Sequence, residues 1–314
     1  MPKKATRKTT RTQIPNLYVV GDIHGCYTEY LKLEQKILEH ILADESPVDP
    51  SKLPEDFLVL SVGDLIDRGP DSAWVLEHFC KGTALGTHAA VLGNHEAIFL
   101  CLVAFFHPEL FKRARVKLPP WIKSVEEEYG IPRKIRAYHG KGLDHFAQEY
   151  LAHWMQQGGL ETFKSLGWDL GRVATWKLPA PILKWLCSLP PHWETPEAFV
   201  THALITRADA ENLKQFNYKK SLKVKERDLP LLNQVERTLW HREVPPLAPL
   251  EEKWHFSGHT PVRDVQIDSE LQIVRLDTGC TYGNRLTAFH VRSGSILEVP
   301  SETKWISPEK KSNR

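Results

Sequence analysis

Five short segments of this sequence carry side chains able to bind a cation or move a proton, and each follows an apolar run. Gly21-Asp22-Ile23-His24-Gly25 follows Leu17–Val20, and Gly63-Asp64-Leu65-Ile66-Asp67-Arg68-Gly69 follows Phe57–Val62. Gly93-Asn94-His95-Glu96 follows Ala89–Leu92. His202 comes directly after Phe199-Val200-Thr201, and His259 follows His255-Phe256-Ser257 and one glycine. A lone Asp-x-His means little, because exposed Asp and His pairs are common. Three such loops at successive strand ends, with two further histidines at later strand ends, are a pattern. Asp22, His24, Asp64, Asn94, His202 and His259 together form a nitrogen and oxygen donor set suited to two divalent ions. Imidazole and carboxylate fit Mn, Fe or Zn, and the set contains no thiolate.

Positioning these groups requires a particular chain rhythm. After the first strand, Thr28 is placed to cap a helix through Ala43, with Leu31, Leu33, Ile37, Leu38, Ile41 and Leu42 at roughly helical spacing. Asp71 is placed to cap a second helix through Cys80, and a third begins at Glu96. Strand, loop and helix thus repeat three times, which predicts an α/β fold with parallel strands. In such sheets ligands bind beyond the carboxyl ends of the strands, where the five segments stand. Residues 107–150 break the rhythm with prolines, basic clusters and the acidic run Glu126–Glu128, and are expected to form a helical insertion. Strands return at 199–201, 255–257, 271–276, 286–291 and 296–299. The expected organisation is a basic disordered tail over 1–13, one domain over 14–300 with the insertion inside it, and a polar tail over 301–314.

Composition narrows the partners. The first 13 residues carry five Lys/Arg and no acid, which leaves 36 basic against 39 acidic residues in the remainder of the 314. A near-neutral body with no recognisable RNA- or DNA-binding motif predicts no specific nucleic-acid partner. The longest apolar run, Ala97–Phe106, is about half what a membrane span needs, so no membrane partner is expected. The basic tail lacks the apolar core of a secretory signal. Five irregularly spaced cysteines with no CxxC pair fit free thiols in a reducing compartment, hence an expected cytoplasmic location.

The loops GDIHG, GDLIDRG and GNHE, with His202 and Gly258-His259-Thr260, resemble the phosphoprotein phosphatase family of calcineurin-like metallophosphoesterases, most of all its bacterial and phage serine/threonine phosphatases. Trp154–Gly159 (WMQQGG), Trp240-His241-Arg242-Glu243 and Asp277-Thr278-Gly279-Cys280 extend the likeness, in the family's order, from about residue 17 to residue 290. The resemblance implies a β-sandwich of two mixed sheets flanked by helices, with a dinuclear metal site at the strand ends that takes manganese, with iron or zinc as alternatives. It implies that Asp22, His24 and His259 hold one ion, that Asn94 and His202 hold the other, and that Asp64 bridges both. It makes His95 the general acid, oriented by Asp67, and gives Arg68 and Arg242 the phosphate oxygens. Glu96 is expected to cap the next helix or support the ligands from behind.

The chemistry is consistent with these roles. Two ions about 4 Å apart activate a bridging water for in-line attack on phosphorus and steady both oxygens of the displacement. A histidine held by a carboxylate is placed to give the leaving alkoxide its proton. The planar fork of arginine matches two phosphoryl oxygens.

The expected substrate is a phosphorylated protein or small phosphoester, with phosphoserine and phosphothreonine monoesters first. The alternative is symmetrical diadenosine tetraphosphate hydrolysis, whose enzymes share GDxHGC and LDTGC. Typical members of that group have Ala in place of Asp67, Asp after the acid histidine and Trp after the last Gly-His. This chain has Asp67, Glu96 and Thr260. A reading from another class is a binding protein that keeps the site but uses it, or the 107–150 insertion, to hold a phosphorylated partner; every expected ligand and the acid are present, so the sequence gives it little support.

Overall fold

The computed structural model describes residues 16–44, 57–119, 151–169, 171–215, 235 and 237–306. Alternation within the first strand sets the layering. In β1 (Asn16–Val20), Leu17 and Val19 enter one apolar cluster while Tyr18 and Val20 enter another. A strand apolar on both faces must be covered on both, and parallel strands in α/β folds are covered in this way. β1 pairs in parallel with β2 (Phe57–Ser61), and β2 pairs in parallel with β3 (His88–Ala90). On its other side β1 pairs antiparallel with β9 (Arg285–His290), which carries β10 (Ile296–Pro300). The first sheet therefore has the order β10-β9-β1-β2-β3.

The second sheet has the order β4-β5-β6-β8-β7, from β4 (His192–Glu194), β5 (Ala198–Thr201), β6 (Trp254–Ser257), β8 (Ile273–Arg275) and β7 (Gln266–Asp268). The faces of the two sheets meet through Leu17, Val19, Leu60, Val200, Phe256 and Val274. Each fully buried aliphatic side chain of this kind is worth roughly 1.5–3 kcal/mol. The other face of the first sheet is covered by α1 (Tyr27–Asp44), α2 (Ser72–Leu85), α3 (Asn94–Phe106), α4 (Pro108–Ala114) and α6 (Ala180–Leu186). The kinked turn Met155–Gly159 and α5 (Leu160–Ser165) join that layer. α7 (Arg207–Gln215) packs on the outer face of the second sheet, where Ala210 and Leu213 meet Phe199. The expected α/β sandwich of two mixed sheets flanked by helices is the observed one.

The differences lie at element ends. α2 runs past Cys80 to Leu85 and stops at Gly86, whose φ of 83° lets the chain leave the helix. Asp71 occupies the cap position of α2, but its side chain makes no capping hydrogen bond. α3 starts at Asn94, two residues earlier than expected, with Gly93 extended ahead of it. β4 and β7 are absent from the sequence expectation. Most of the expected insertion (120–150), the basic tail and residues after 306 lie outside the described residues. Among the described residues no helix is long and apolar enough to cross a membrane.

Candidate active site

The chain leaves β1, β2, β3, β5 and β6 at the same edge of the sandwich, and the five segments meet there. Ile23 and His24 donate their amides to the Asp64 carbonyl (3.1 and 2.8 Å), and Gly258 donates to the His202 carbonyl (2.8 Å). The His259 amide donates to the Asp22 carboxylate at 3.0 Å, joining residues 237 apart in sequence. Asp22, His24, Asp64, Asp67, Asn94, His95, Glu96, His202 and His259 are all buried. His24, Asp64, Asp67, Arg68 and His259 have φ between 46° and 71°. Left-handed backbone is uncommon in residues with side chains and concentrates at functional sites.

Asp64 is the hub. Its Oδ2 stands 3.4 Å from His24 Nε2 and 3.8 Å from His95 Nε2, and its Oδ1 stands 3.4 Å from His202 Nε2. Burial raises its pKa, but the surrounding His202, His95 and His24 prevail and hold the carboxyl well below the usual range. Asp22 has the opposite balance. Burial, then repulsion from Asp277 and Asp64, pushes it well above that range. Burial also raises Asp277, although the Gly279 amide donates to it at 3.0 Å.

Histidine orientation tests whether cations fit. His24 Nδ1 donates to the Ile66 carbonyl (2.8 Å), and His202 Nδ1 donates to the Val62 carbonyl (2.9 Å). In the neutral rings, each Nε2 lone pair is therefore aimed inward. The Nε2 of His202 faces the Asn94 Oδ1 acceptor at 2.8 Å as well as Asp64. Metal-binding histidines are oriented in this way, with the second ring nitrogen tied to a carbonyl. Nε2 of His259 is buried without a hydrogen-bond partner, and burial pulls this ring down to about 2, so it is a neutral donor at physiological pH. Clustered carboxylates and unprotonated nitrogens fit divalent ions.

The ring of His259 lies with Asn94 (Nδ1 to Oδ1, 3.1 Å) and meets His202 edge to face at 5.0 Å, while its amide donates to Asp22. β5 and β6 are neighbours in the second sheet, so the residues following them emerge side by side. Two triads, His24–Asp64–His95 and Asp64–His202–His259, have donor atoms within 4.8 Å of one another and share Asp64.

His95 also belongs to a hydrogen-bonded dyad. Its Nδ1 donates to Asp67 Oδ2 at 2.6 Å, while Arg68 Nη2 lies 3.0 Å from its Nε2. Asp67 is fully buried and also accepts from Trp154 Nε1 (2.8 Å) and Thr162 Oγ1 (2.6 Å). Three donors lock this carboxylate, and the carboxylate in turn fixes the ring. Arg68 donates its amide to the Gly158 carbonyl (3.0 Å), places Nη1 2.6 Å from His24 Nε2, and lies over Tyr282 and Trp305. Gly158 has φ 107°, and a side chain there would overlap the Arg68 backbone.

Glu96 has the structural role expected of it, and a wider one. Oε2 accepts from Gly93 and Asp64 amides (3.1 and 2.9 Å), and Oε1 accepts from Leu65 and Ile66 (2.8 and 3.2 Å). One buried carboxylate thereby shapes both the Asp64 loop and the start of α3. Burial, then Asp64, pushes it up to about 8. Asp64, Arg68, His95, Trp240, Arg242 and His259 line a cleft of about 170 Å³. Arg242 is exposed at its mouth.

Sequence reasoning missed Thr162, Tyr282, Trp305 and Ser72, whose hydroxyl accepts from the Asp67 amide at 3.1 Å and lies 2.9 Å from Thr162 Oγ1; it named Trp154 and Asp277 without a role. Trp154 and Asp277 sit in segments that carry the family likeness, and that was their only signal. The hydrogen bond from Thr162 to Asp67 spans 95 residues, and no spacing rule reveals it.

Residues 15–263 match the calcineurin-like phosphoesterase family. A bis(5'-nucleosyl)-tetraphosphatase PrpE [asymmetrical] of Bacillus velezensis is 28% identical over 291 residues, covering 90% of this chain and 92% of its own. A symmetrical bis(5'-nucleosyl)-tetraphosphatase of Coxiella burnetii is 39% identical over 94 residues, 30% of this chain and 27% of its own. Among solved structures, a cold-active protein tyrosine phosphatase aligns at a TM-score of 0.49 and 15% identity, over 94% of this chain and 81% of that one.

Proposed function

The chain belongs to the calcineurin-like phosphoesterase family and is a metal-dependent phosphoester hydrolase; from that premise we propose that it hydrolyses phosphoserine- and phosphothreonine-type monoesters. The observation that carries this reading is the His95–Asp67 dyad, buried and held at 2.6 Å. A serine or threonine alkoxide is a poor leaving group and needs a proton as the P–O bond breaks. A positioned acid typically contributes ~10²–10⁴ in rate to such a step.

Asp22, His24, Asp64, Asn94, His202 and His259 would hold two divalent ions, manganese by preference, with iron or zinc as alternatives. When bound, such ions supply an activated water and neutralise charge on phosphorus. The side chains do the rest. Asp67 holds the Nδ1 proton of His95 and directs Nε2 into the cleft; the acid form is the imidazolium, which carries a second proton on Nε2 and gives that proton to the leaving oxygen. Arg68 and Arg242 present guanidinium forks to the phosphoryl oxygens. Tyr282 and Trp305, stacked near Arg68, limit the directions its fork can take.

A second reading, hydrolysis of a dinucleoside tetraphosphate, is favoured by relatives of that name that align along nearly the whole chain. A nucleotide leaving as a phosphate anion needs no proton, so that chemistry leaves the dyad without a task. The test is kcat/KM of the manganese-loaded protein on a phosphoserine peptide and on diadenosine tetraphosphate, side by side. A higher value for the peptide supports the first reading. Turnover of the dinucleotide with none of the peptide replaces it with the second.

A further inference from the structure

Three groups of His, Asp and Glu among the described residues stand close enough to hold an ion, and only two of them are at the cleft. The third is Glu34 on α1, His78 on α2 and His88 at the start of β3. His88 begins the strand whose other end delivers Asn94, so this group faces away from the catalytic edge. The geometry points to a second, non-catalytic site for a zinc-class divalent ion, held by Nε2 of His78, Nε2 of His88 and a carboxylate oxygen of Glu34.

Both Nε2 atoms converge on the same oxygen, Glu34 Oε1, at 3.0 Å from His78 and 2.9 Å from His88. Ligand atoms around a tetrahedral zinc with bonds of about 2.0–2.1 Å lie about 3.3 Å apart. The existing spacing needs to open by only a few tenths of an ångström at this oxygen. No two donor atoms of the group are more than 4.8 Å apart.

The rings are oriented for a shared ion. His88 Nδ1 lies 2.8 Å from Thr87 Oγ1, so Nε2 is the nitrogen turned to the carboxylate. The Tyr27 hydroxyl stands 3.2 Å from His78 Nδ1, so both rings have a partner on the nitrogen facing away from the site, as ligating histidines do. The buried Tyr30 hydroxyl lies 2.8 Å from His88 Nε2 and closes the inner side. Glu34 and His78 are 18% and 22% exposed, which leaves a path for the ion and a solvent-filled fourth position. Two imidazoles and one carboxylate suit zinc better than magnesium or calcium.

An ion here would pin two helices to β3, a three-residue edge strand. The test is the zinc content of the full-length protein after loading and desalting, by mass spectrometry, for wild type, His78→Ala and Glu34→Gln. Both variants are expected to retain about one zinc fewer per chain than wild type, with manganese-dependent hydrolysis of p-nitrophenyl phosphate preserved. Equal zinc content in all three overturns the site. Glu34→Gln keeps the side-chain volume, so it decides the matter if His78→Ala folds poorly. As a second readout, excess zinc should raise the unfolding midpoint of wild type by roughly 4 °C beyond its effect on Glu34→Gln, at about a hundredfold excess over Kd. An equal rise in both proteins also overturns it.

Discussion

Replacing His95 by Asn tests the proposed acid and separates it from a rival role, because the same ring also stands in the triad with His24 and Asp64. The substitution removes the Nδ1 bond to Asp67 but leaves that carboxylate with Trp154 and Thr162 as donors, so no buried charge is orphaned. The expected stability cost is therefore modest, about 1.5–3 kcal/mol for one buried charge-assisted bond. The catalytic cost should depend on the leaving group. For a phosphoserine peptide the loss should be ~10²–10⁴ in kcat, equal to about 2.7–5.5 kcal/mol of transition-state stabilisation. For p-nitrophenyl phosphate, whose phenolate leaves readily, the loss should be roughly tenfold or less. The assay is phosphate release from both substrates at saturating manganese, with metal content measured on the same samples. Equal losses on the two substrates would refute the acid role. Loss of about one metal ion per chain would instead make His95 a ligand.

Glu96→Ala should cost about 4 kcal/mol or more in a denaturant titration, because four buried amides lose their acceptor; a change under about 1 kcal/mol would mean that water replaces the carboxylate. Arg242→Ala should raise KM about 10–100-fold with metal content unchanged, the value of a charge-assisted contact to phosphate, and unaltered kinetics would take it out of the cleft. Gly158→Ala should destabilise by about 1–3 kcal/mol and weaken phosphate binding, since the added methyl overlaps the Arg68 backbone at φ 107°. Glu34 is subject to burial, which raises its pKa, but hydrogen bonds from His78 and His88 pull it from the ordinary 4.5 down to about 2. Its stabilisation of the ion-free protein is thus complete above pH 4.5 and lost as pH falls through 2, and it amounts to about 3 kcal/mol. Glu34→Gln should flatten the stability profile across that window, and parallel profiles would contradict the assignment.

The catalytic edge was legible because four of its five strands announce themselves twice, by an apolar run and by the glycine that ends it. Asp22, His24, Asp64, Asn94, His95, His202 and His259 all come together where the strand-end rule places them. β4 and β7 were not legible. Each is three residues long, and β7 is exposed throughout, so neither shows an alternation to read. The start of α3 was read two residues late because Asn94 and His95 look like loop chemistry while they also form the first helical turn. The pairing of His259 with Asn94 follows from sheet order, which single strands do not reveal. The support of Asp67 by Trp154 and Thr162 depends on contacts across 87 and 95 residues.

The left-handed backbone at five site residues has a consequence for how this sequence can change. A non-glycine residue held there costs about 1–2 kcal/mol, so His24, Asp64, Asp67, Arg68 and His259 together oppose folding by about 5 kcal/mol or more. That is comparable with the entire net stability of a modest domain. Glycine would relieve each position, and at each it would delete the side chain that binds or orients. Variants selected for thermostability alone should therefore drift toward glycine at residues 24, 64, 67, 68 and 259. Selection for turnover must hold those same five positions against that drift, which makes them the sites where a stable descendant and an active one part company.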